Sequence, residues 1–430
     1  MFRAASKLST AARPIFSATF SLSKPVCNST FLSQLSNTKS QKIRFFSSSD
    51  VFKASPVAVE MINYALSLAR SQKSDESYAQ GLLVLEQCQS TQQDDNSKGL
   101  VLLGMSTLFS ERGNYEEAIE QLKKVKDLAV SSLAIKVAAS EALVGLHLEL
   151  GQDDSSSVLA DICLQLLESV KMETGSGYGD GVLDARAKAL KGLVELVRGD
   201  LESSDLYFQG LEGIKGNVAL SYGGFLHAKQ NFPMAKELYE KVIQGATETK
   251  DLSDPHNFAA GNMALEEVLL AATCSLGQLE AHLGNFSEAE EMLTQALTKT
   301  EEHFGSRHPK VGVVLTCIAL MYRHKAATER SSSLLIQEGL YRRALEMLKA
   351  PSLEASDVDK VHRRDIVALA RGGYAELLCV QQNRKAEGEK MKKWAETAWK
   401  NRRLSVADAL NISEPTSKVP VVDLRISRVL

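Results

Sequence analysis

Apolar residues recur along most of the chain at the three- and four-residue spacing of amphipathic helices, and the period-two alternation of strands is almost absent before the C-terminal tail. This helical spacing runs from Pro56 to Lys400, interrupted by glycines and short polar turns. Abundant Ala, Leu, Glu and Lys, with only nine prolines, also favour helices. The pattern therefore predicts an all-α fold.

Three segments, 105–122, 222–239 and 276–293, superpose without gaps. Each has a turn that ends in Asn, then an aromatic residue, then Ala three residues later. An aromatic residue at this place wedges between two antiparallel helices, a small Ala lets their backbones approach, and glycine or a polar residue ends the first helix. The signature positions, with a weaker copy after residue 339, are Gly113, Tyr115, Ala118, Gly223, Phe232, Ala235, Gly277, Gly284, Phe286, Ala289, Ala296, Tyr341 and Ala344.

The signature resembles the tetratricopeptide repeat family, which implies a right-handed superhelical solenoid of antiparallel helix pairs. The pair His308-Pro309 and the 55-residue spacing from Ala289 to Ala344 resemble the longer, kinesin-light-chain type of this repeat, and predict an insertion around 326–337. In that type a histidine-proline pair opens the next helix, which Asp254-Pro255-His256 matches more loosely. Residues 50–403 are expected to form about eight helix pairs, with degenerate outer pairs, and 404–430 a C-terminal extension.

Residues 1–49 hold seven basic residues, twelve serines, four threonines and no acidic residue. That composition is typical of a cleaved organelle transit peptide. The stretch 42–49 resembles the processing sites of plant-type mitochondrial presequences, so the sequence predicts a protein of the mitochondrial matrix. A chloroplast address and a disordered serine-rich arm are the alternatives.

Without those seven basic residues, 50–430 carries 43 basic and 53 acidic residues, a net charge of about −10. A mildly acidic body gives no electrostatic footprint for nucleic acid. No apolar run reaches the roughly 18 residues of a membrane helix. The six cysteines are far apart without a CxxC pair, which indicates buried thiols in a reducing compartment.

Candidate chemistry is weak throughout. The run Gly175 to Gly181 lacks the Gly-Lys-Ser/Thr ending of a phosphate-binding loop, and the eight histidines include no HExxH pair. In the stretch FGSRHPKV, from Phe304 to Val311, Gly305 permits a turn and Pro309 suits the first position of a helix. His308 is therefore interpreted as part of a connection. The sequence predicts a non-enzymatic protein with no catalytic, cofactor or metal site.

Repeat proteins bind partners along the face formed by the first helix of each pair. The residues expected to line such a partner groove are Thr107, Leu193, Leu220, Gln278, Thr316, Leu320 and Arg323. They do not form the basic clamp that grips acidic C-terminal peptides. The groove is expected to accept an apolar helix or an extended strand.

The C-terminal part leaves two alternatives open. The cluster Arg384 to Arg403, with Trp394 and Trp399, is either a basic docking face for RNA or an acidic partner, or a terminal capping helix. The apolar segment Val419 to Ile426 either folds back into the groove or extends to a partner. The leading hypothesis is a mitochondrial scaffold or assembly adaptor for a protein complex, and the alternative is an organellar RNA-binding helical repeat.

Overall fold

The computed structural model describes residues 54–174, 181–211, 214–245, 254–354, 361–411 and 419–430. These residues belong to one compact unit, Phe52–Leu430. The predicted transit segment, residues 1–49, and residues 175–180 of the glycine-rich run lie outside the described residues.

The described ranges contain seventeen α-helices and one small antiparallel hairpin. The helices are α1 Pro56–Gln72, α2 Asp75–Thr91, α3 Asp95–Glu111, α4 Tyr115–Lys126, α5 Leu133–Glu149, α6 Asp153–Thr174, α7 Gly181–Val197, α8 Leu201–Phe208, α9 Gly216–Ala228, α10 Phe232–Gly245, α11 Leu265–Leu283, α12 Phe286–Phe304, α13 Pro309–Glu329, α14 Leu334–Met347, α15 Arg364–Cys379, α16 Lys385–Ala398 and α17 Val406–Leu410. The hairpin pairs β1, Val422–Asp423, with β2, Arg428–Val429.

Helices α1 to α16 form eight consecutive pairs, in which each odd-numbered helix packs on the even-numbered helix that follows it. The first helices of the pairs also contact one another, from α1 and α3 through to α13 and α15. The molecule is therefore an all-α helical repeat, as the sequence predicts. Because α5 is buried on almost every side while α4 buries only one stripe, the first helices form the interior layer.

The corner between α3 and α4 shows how the repeat signature works. Gly113 has a φ of 78°, which glycine adopts at low cost, and the Asn114 N–H donates to the Phe109 carbonyl at 2.9 Å. Tyr115 opens α4, and Ala118 is fully buried at the helix contact. In the sixth pair, a Cβ on Gly277 would lie 2.7 Å from Leu293 Cγ, so only glycine fits this contact.

The 55-residue spacing does not contain a separate insertion. Residues 326–329 complete α13, residues 334–337 begin α14, and only 330–333 are non-helical. Both stretches are rich in Ala, Leu, Glu and Gln, which continue a helix readily. The expected insertion around 326–337 is thus wrong, because eight of these twelve residues belong to α13 and α14. Likewise, Asp254 caps a 3₁₀ turn at Pro255–Asn257, while α11 begins only at Leu265.

Candidate functional site

The surface of the first helices that faces the interior, here called the inner face, is covered by two segments of the same chain. One is the inner loop, residues 254–264. The other is the C-terminal tail, residues 419–430, in which every residue from 421 to 430 is buried. The expected partner groove is therefore occupied in cis.

The tail binds as an extended hairpin. The Gln278 side chain on α11 forms two hydrogen bonds with Val422 of the tail. Its Oε1 accepts from the Val422 N–H at 2.8 Å, and its Nε2 donates to the Val422 carbonyl at 2.9 Å. The Leu430 N–H donates to the Val421 carbonyl at 2.8 Å. A Cβ on Gly224 of α9 would lie 2.9 Å from Leu430 Cδ1, so α9 makes room for this side chain. The amide of Gln278 thus supplies the hydrogen bonds that a neighbouring strand would give.

Arg425 is the largest fully buried side chain of the tail. Its guanidinium donates to Asp423 Oδ2 at 2.7 Å, to Asn217 Oδ1 at 2.7 Å and to Ser221 Oγ at 3.2 Å. A buried guanidinium is tolerated only when it is paired and hydrogen-bonded, and this arrangement supplies both.

Arg428 binds the tail to helices α5, α6 and α15. It donates to Asp365 on α15 at 2.9 Å, to Asp153 on α6 at 2.8 Å and to the Leu148 carbonyl at 3.1 Å. Together with the Arg425 contacts, these bonds connect the tail to α15 and to α5, α6 and α9, which are more than 200 residues away in the sequence.

A buried charge cluster supports the turn of the tail. Lys310 forms an ion pair with Glu267 and donates to the Arg425 carbonyl at 3.0 Å. Glu149 accepts from Ser427 Oγ at 3.3 Å. Burial raises the pKa of Glu267 to about 7 against the effect of Lys310, and Glu149 raises it further. Burial also acts to raise the pKa of Glu149, but Lys310 and Arg363 outweigh burial, and the pKa of this carboxyl is lowered.

The inner loop fills the rest of the inner face. Arg186 on α7 binds Glu141 at 2.6 Å and donates to the Phe258 carbonyl at 2.6 Å. The Gly261 N–H donates to Thr107 Oγ1 at 3.0 Å, and Asn262 Nδ2 donates to Glu149 at 3.2 Å. The loop therefore links α3, α5 and α7 where a ligand would otherwise enter.

The seven residues expected in the partner groove all lie on first helices. Thr107 binds the inner loop, and Gln278 binds the tail. Arg323 donates to the Leu410 carbonyl at 2.7 Å and pairs with Glu376. The remaining four are buried or half-buried in the packing of the helices: Leu193, Leu220, Thr316 and Leu320.

A second concave region remains open. This corner cleft, of about 1430 Å³, is lined among the described residues by the α1–α2 and α3–α4 corners, the end of α5 and the segments 304–309, 348–354 and 361–363. The stretch FGSRHPKV supplies one wall of the cleft.

His308 has a structural role in that wall. Its Nδ1 accepts from the Lys310 N–H at 3.2 Å and caps α13, and Pro309 follows as the first helical residue. The ring stacks on Phe304 with centroids 4.5 Å apart. Burial, with nearby Arg363 and Lys310, lowers the pKa of His308 to about 3, so the ring is neutral and accepts a hydrogen bond at ordinary pH.

The rim of the cleft carries exposed cations. Lys73, Lys123, Arg307 and Lys349 line it, and none forms an ion pair with a described residue. Other charges in the cleft are neutralised locally: Arg112 pairs with Asp75, and Arg363 binds Glu149 at 2.9 Å. Two exposed acids, Glu116 and Glu117, also line the cleft.

Helix α16 carries four of the eight basic residues of the C-terminal cluster. Trp394 is buried, and the Arg371 guanidinium lies 3.8 Å from the centroid of its ring. Arg384 pairs with Glu338 at 2.6 Å, and Arg403 is buried and donates to the Leu430 main-chain oxygen at 2.5 Å. These contacts are those of a capping helix, while lysines 390, 392 and 393 stay exposed.

Sequence reasoning missed the residues that hold the tail and the inner loop: Glu149, Arg186, Lys310, Arg363 and Asp365. An acid at the end of a mostly apolar helix, as in Leu146-His-Leu-Glu149, is a signal that could have indicated a buried partner. The sequence does not show which residues pair with Glu149, because Arg363 and Ser427 are more than 200 residues away from it.

Among the described residues, no group of three or more His, Cys, Asp or Glu side chains is arranged to hold a metal ion. None of the described helices combines the length and apolar character that crossing a bilayer requires. Residues 269–310, which cover most of α11 and all of α12, match a family model described as a tetratricopeptide repeat. A search of curated proteins gave no match.

Proposed function

We propose, from the premise that the chain is a tetratricopeptide-type repeat protein, that it is a non-enzymatic scaffold or assembly adaptor of a mitochondrial protein complex. Repeats of this type support protein–protein interaction in general. The finer proposal is that the partner binds in the corner cleft. The observation that carries it is that the cleft is open while the inner face is filled by the chain itself.

The magnitudes favour the cleft over the inner face. A partner that entered the inner face would have to displace the six buried apolar side chains of the tail, and burial of each contributes about 1.5–3 kcal/mol. The tail is also tethered, so it competes at an effective concentration on the order of millimolar. A partner at the cleft meets neither cost.

The mitochondrial address rests on the composition of residues 1–49, with seven basic and no acidic residues. A fusion of these residues to a fluorescent reporter tests it. Mitochondrial fluorescence and cleavage of the reporter are the expected results. Fluorescence in chloroplasts would assign the alternative compartment, and a diffuse signal would remove the transit role.

Affinity purification of tagged residues 50–430 from mitochondria tests the scaffold function. The expected result is a defined set of co-purifying proteins that is lost when Lys123 and Lys349 are changed to Glu. The control with Lys392→Glu and Lys393→Glu has the same charge change on α16 and is expected to retain them. Purification of the chain alone would contradict the proposal.

The RNA-binding alternative has less support, because Arg384 and Arg403 are engaged in contacts within the protein. The exposed lysines of α16 are the remaining candidates for contact with RNA. Salt-sensitive retention of the purified protein on single-stranded RNA, abolished by the α16 control variant, would favour that alternative.

A further inference from the structure

We propose that the corner cleft recognises an acidic segment of the partner protein, whose carboxylates contact Lys73, Lys123, Arg307 and Lys349. This rests on the proposed function and names the chemistry of the partner. The charge of the cleft supports this assignment. Residues 50–430 carry about ten more acidic than basic residues, yet the rim of this cleft has four exposed cations without an ion-pair partner among the described residues.

The backbone conformation at two of these cations also supports a binding role. Lys73 has a φ of 54° and Lys349 a φ of 52°, in the left-handed region that glycine occupies most easily. Of the six described non-glycine residues with positive φ, three line this cleft: Lys73, Lys349 and Arg363. Residues other than glycine pay about 1–2 kcal/mol there.

At the neighbouring α3–α4 corner, glycine occupies the position that corresponds to Lys349. After α14, the Lys349 N–H donates to the Glu346 carbonyl at 3.1 Å and the Ala350 N–H to the Leu345 carbonyl at 3.0 Å. After α3, Gly113 and the residue that follows it make the same two bonds at the same spacing. Glycine therefore suits this helix end, and a lysine there keeps a cationic side chain in the cleft at a cost in stability. The strained lysines fit a binding role better than a folding role.

A variant that removes these cations without destabilising the fold therefore tests the proposal. Lys73→Gly together with Lys349→Gly removes two rim cations and relieves two left-handed lysines. The matched control, Lys392→Gln with Lys393→Gln, removes two exposed charges from α16. Both are made in the chain comprising residues 50–430, and thermal midpoints are measured first. The midpoint of the glycine variant is expected to equal or exceed that of the unaltered chain.

Binding is then measured by fluorescence anisotropy, at low and high salt, with a labelled 20-residue polyglutamate peptide and with a labelled oligouridylate. We expect polyglutamate to bind at low salt and to bind about five-fold or more weakly to the glycine variant, since each exposed charge contact contributes modestly. The control is expected to bind as the unaltered chain does. Absence of polyglutamate binding, equal binding by the glycine variant, or binding of oligouridylate alone would overturn the proposal.

Zero-length carbodiimide coupling of the complex purified from mitochondria separates this proposal from the scaffold function, because it joins a lysine only to a carboxylate in contact with it. We expect links from Lys73, Lys123 or Lys349 to Asp or Glu of the partner. If a partner co-purifies but its links avoid these lysines, the scaffold function stands and the acidic-segment proposal fails. If nothing co-purifies, the scaffold function itself fails.

Discussion

The inner face and the corner cleft are both formed by the repeated helix pairs, but they differ in how their charged side chains are arranged. On the inner face, the acids Glu149, Glu267 and Asp365 meet cations of Lys310, Arg363 and the tail at hydrogen-bond distance. At the cleft, the cations of the rim face outward without a described ion-pair partner. The inner face is thus filled by the chain's own tail and inner loop, and we propose the corner cleft as the site for another molecule.

The largest expected effect comes from deletion of residues 412–430. The deletion exposes the apolar inner face and leaves Asp365 and Asp153 without Arg428. We expect a loss of more than about 5 kcal/mol in the free energy of unfolding, from six apolar side chains at about 1.5–3 kcal/mol each, partly offset by the released chain entropy. Thermal unfolding followed by circular dichroism measures it.

The control adds a synthetic peptide of residues 419–430 to the shortened chain. If the inner face is a peptide-binding surface, the peptide raises the thermal midpoint in a concentration-dependent manner. A midpoint that is unchanged by the deletion would show that the tail is not part of the stable core.

Arg425→Ala gives the next largest effect. It leaves Asp423 buried without its guanidinium partner, and loss of one member of a buried pair costs about 3–5 kcal/mol. Denaturant unfolding is the measurement, with Arg402→Ala as control, since Arg402 is exposed in the same C-terminal region. Equal stabilities of the two variants would mean that the Arg425 contacts do not hold the tail.

Glu267→Gln tests the charge cluster through its pH dependence. The folded-state pKa of Glu267, about 7, exceeds its ordinary value of 4.5, so between these values the folded protein keeps a proton that the unfolded chain has released. The contribution of this group to stability therefore falls as pH rises from 4.5 to about 7. Burial is the main cause of the raised pKa; among the groups that face Glu267, Glu149 raises the pKa further, while Lys310 and His303 lower it.

The stability of Glu267→Gln relative to the unaltered chain is expected to rise with pH over that interval and then to level off. Free energies of unfolding from denaturant titrations at pH 5, 6, 7 and 8 measure it. Glu266→Gln serves as the control, because it removes the neighbouring carboxylate, whose side chain is half exposed. Parallel profiles for all three proteins would argue against a buried, proton-binding Glu267.

The smallest effect is expected at the cleft wall. His308→Ala removes the cap of α13 and should cost about 1 kcal/mol, while His308→Asn keeps an acceptor and should cost less. Because the pKa of His308 is lowered to about 3, this difference should be constant from pH 5 to 8. A difference that appeared only below pH 7 would indicate a titrating histidine and a role beyond capping.

The helix pairs could be predicted from the sequence because their determinants are local. Gly113, Tyr115 and Ala118 lie within six residues and fix one corner through a turn, a wedge and a close contact. The ends of α13 and α14 were missed, because no Gly or Pro marks the short break at residues 330–333 between them.

The occupant of the inner face could not be predicted, because its contacts are non-local. Gln278 binds Val422 across 144 residues and Arg428 binds Asp153 across 275. An apolar tail with arginines fits a neighbouring chain as well as its own. Only the folded arrangement, in which buried acids lie opposite these arginines, distinguishes the two.

Hydrogen exchange read by mass spectrometry, on the chain alone and on its purified partner complex, tests the central claim most directly. The account predicts that the amides of residues 419–430 exchange only through global unfolding in both samples. Segments 304–309 and 348–354 should exchange more slowly in the complex. Faster exchange of the tail on partner binding, with no change at those two segments, would contradict the account and make the inner face the binding site.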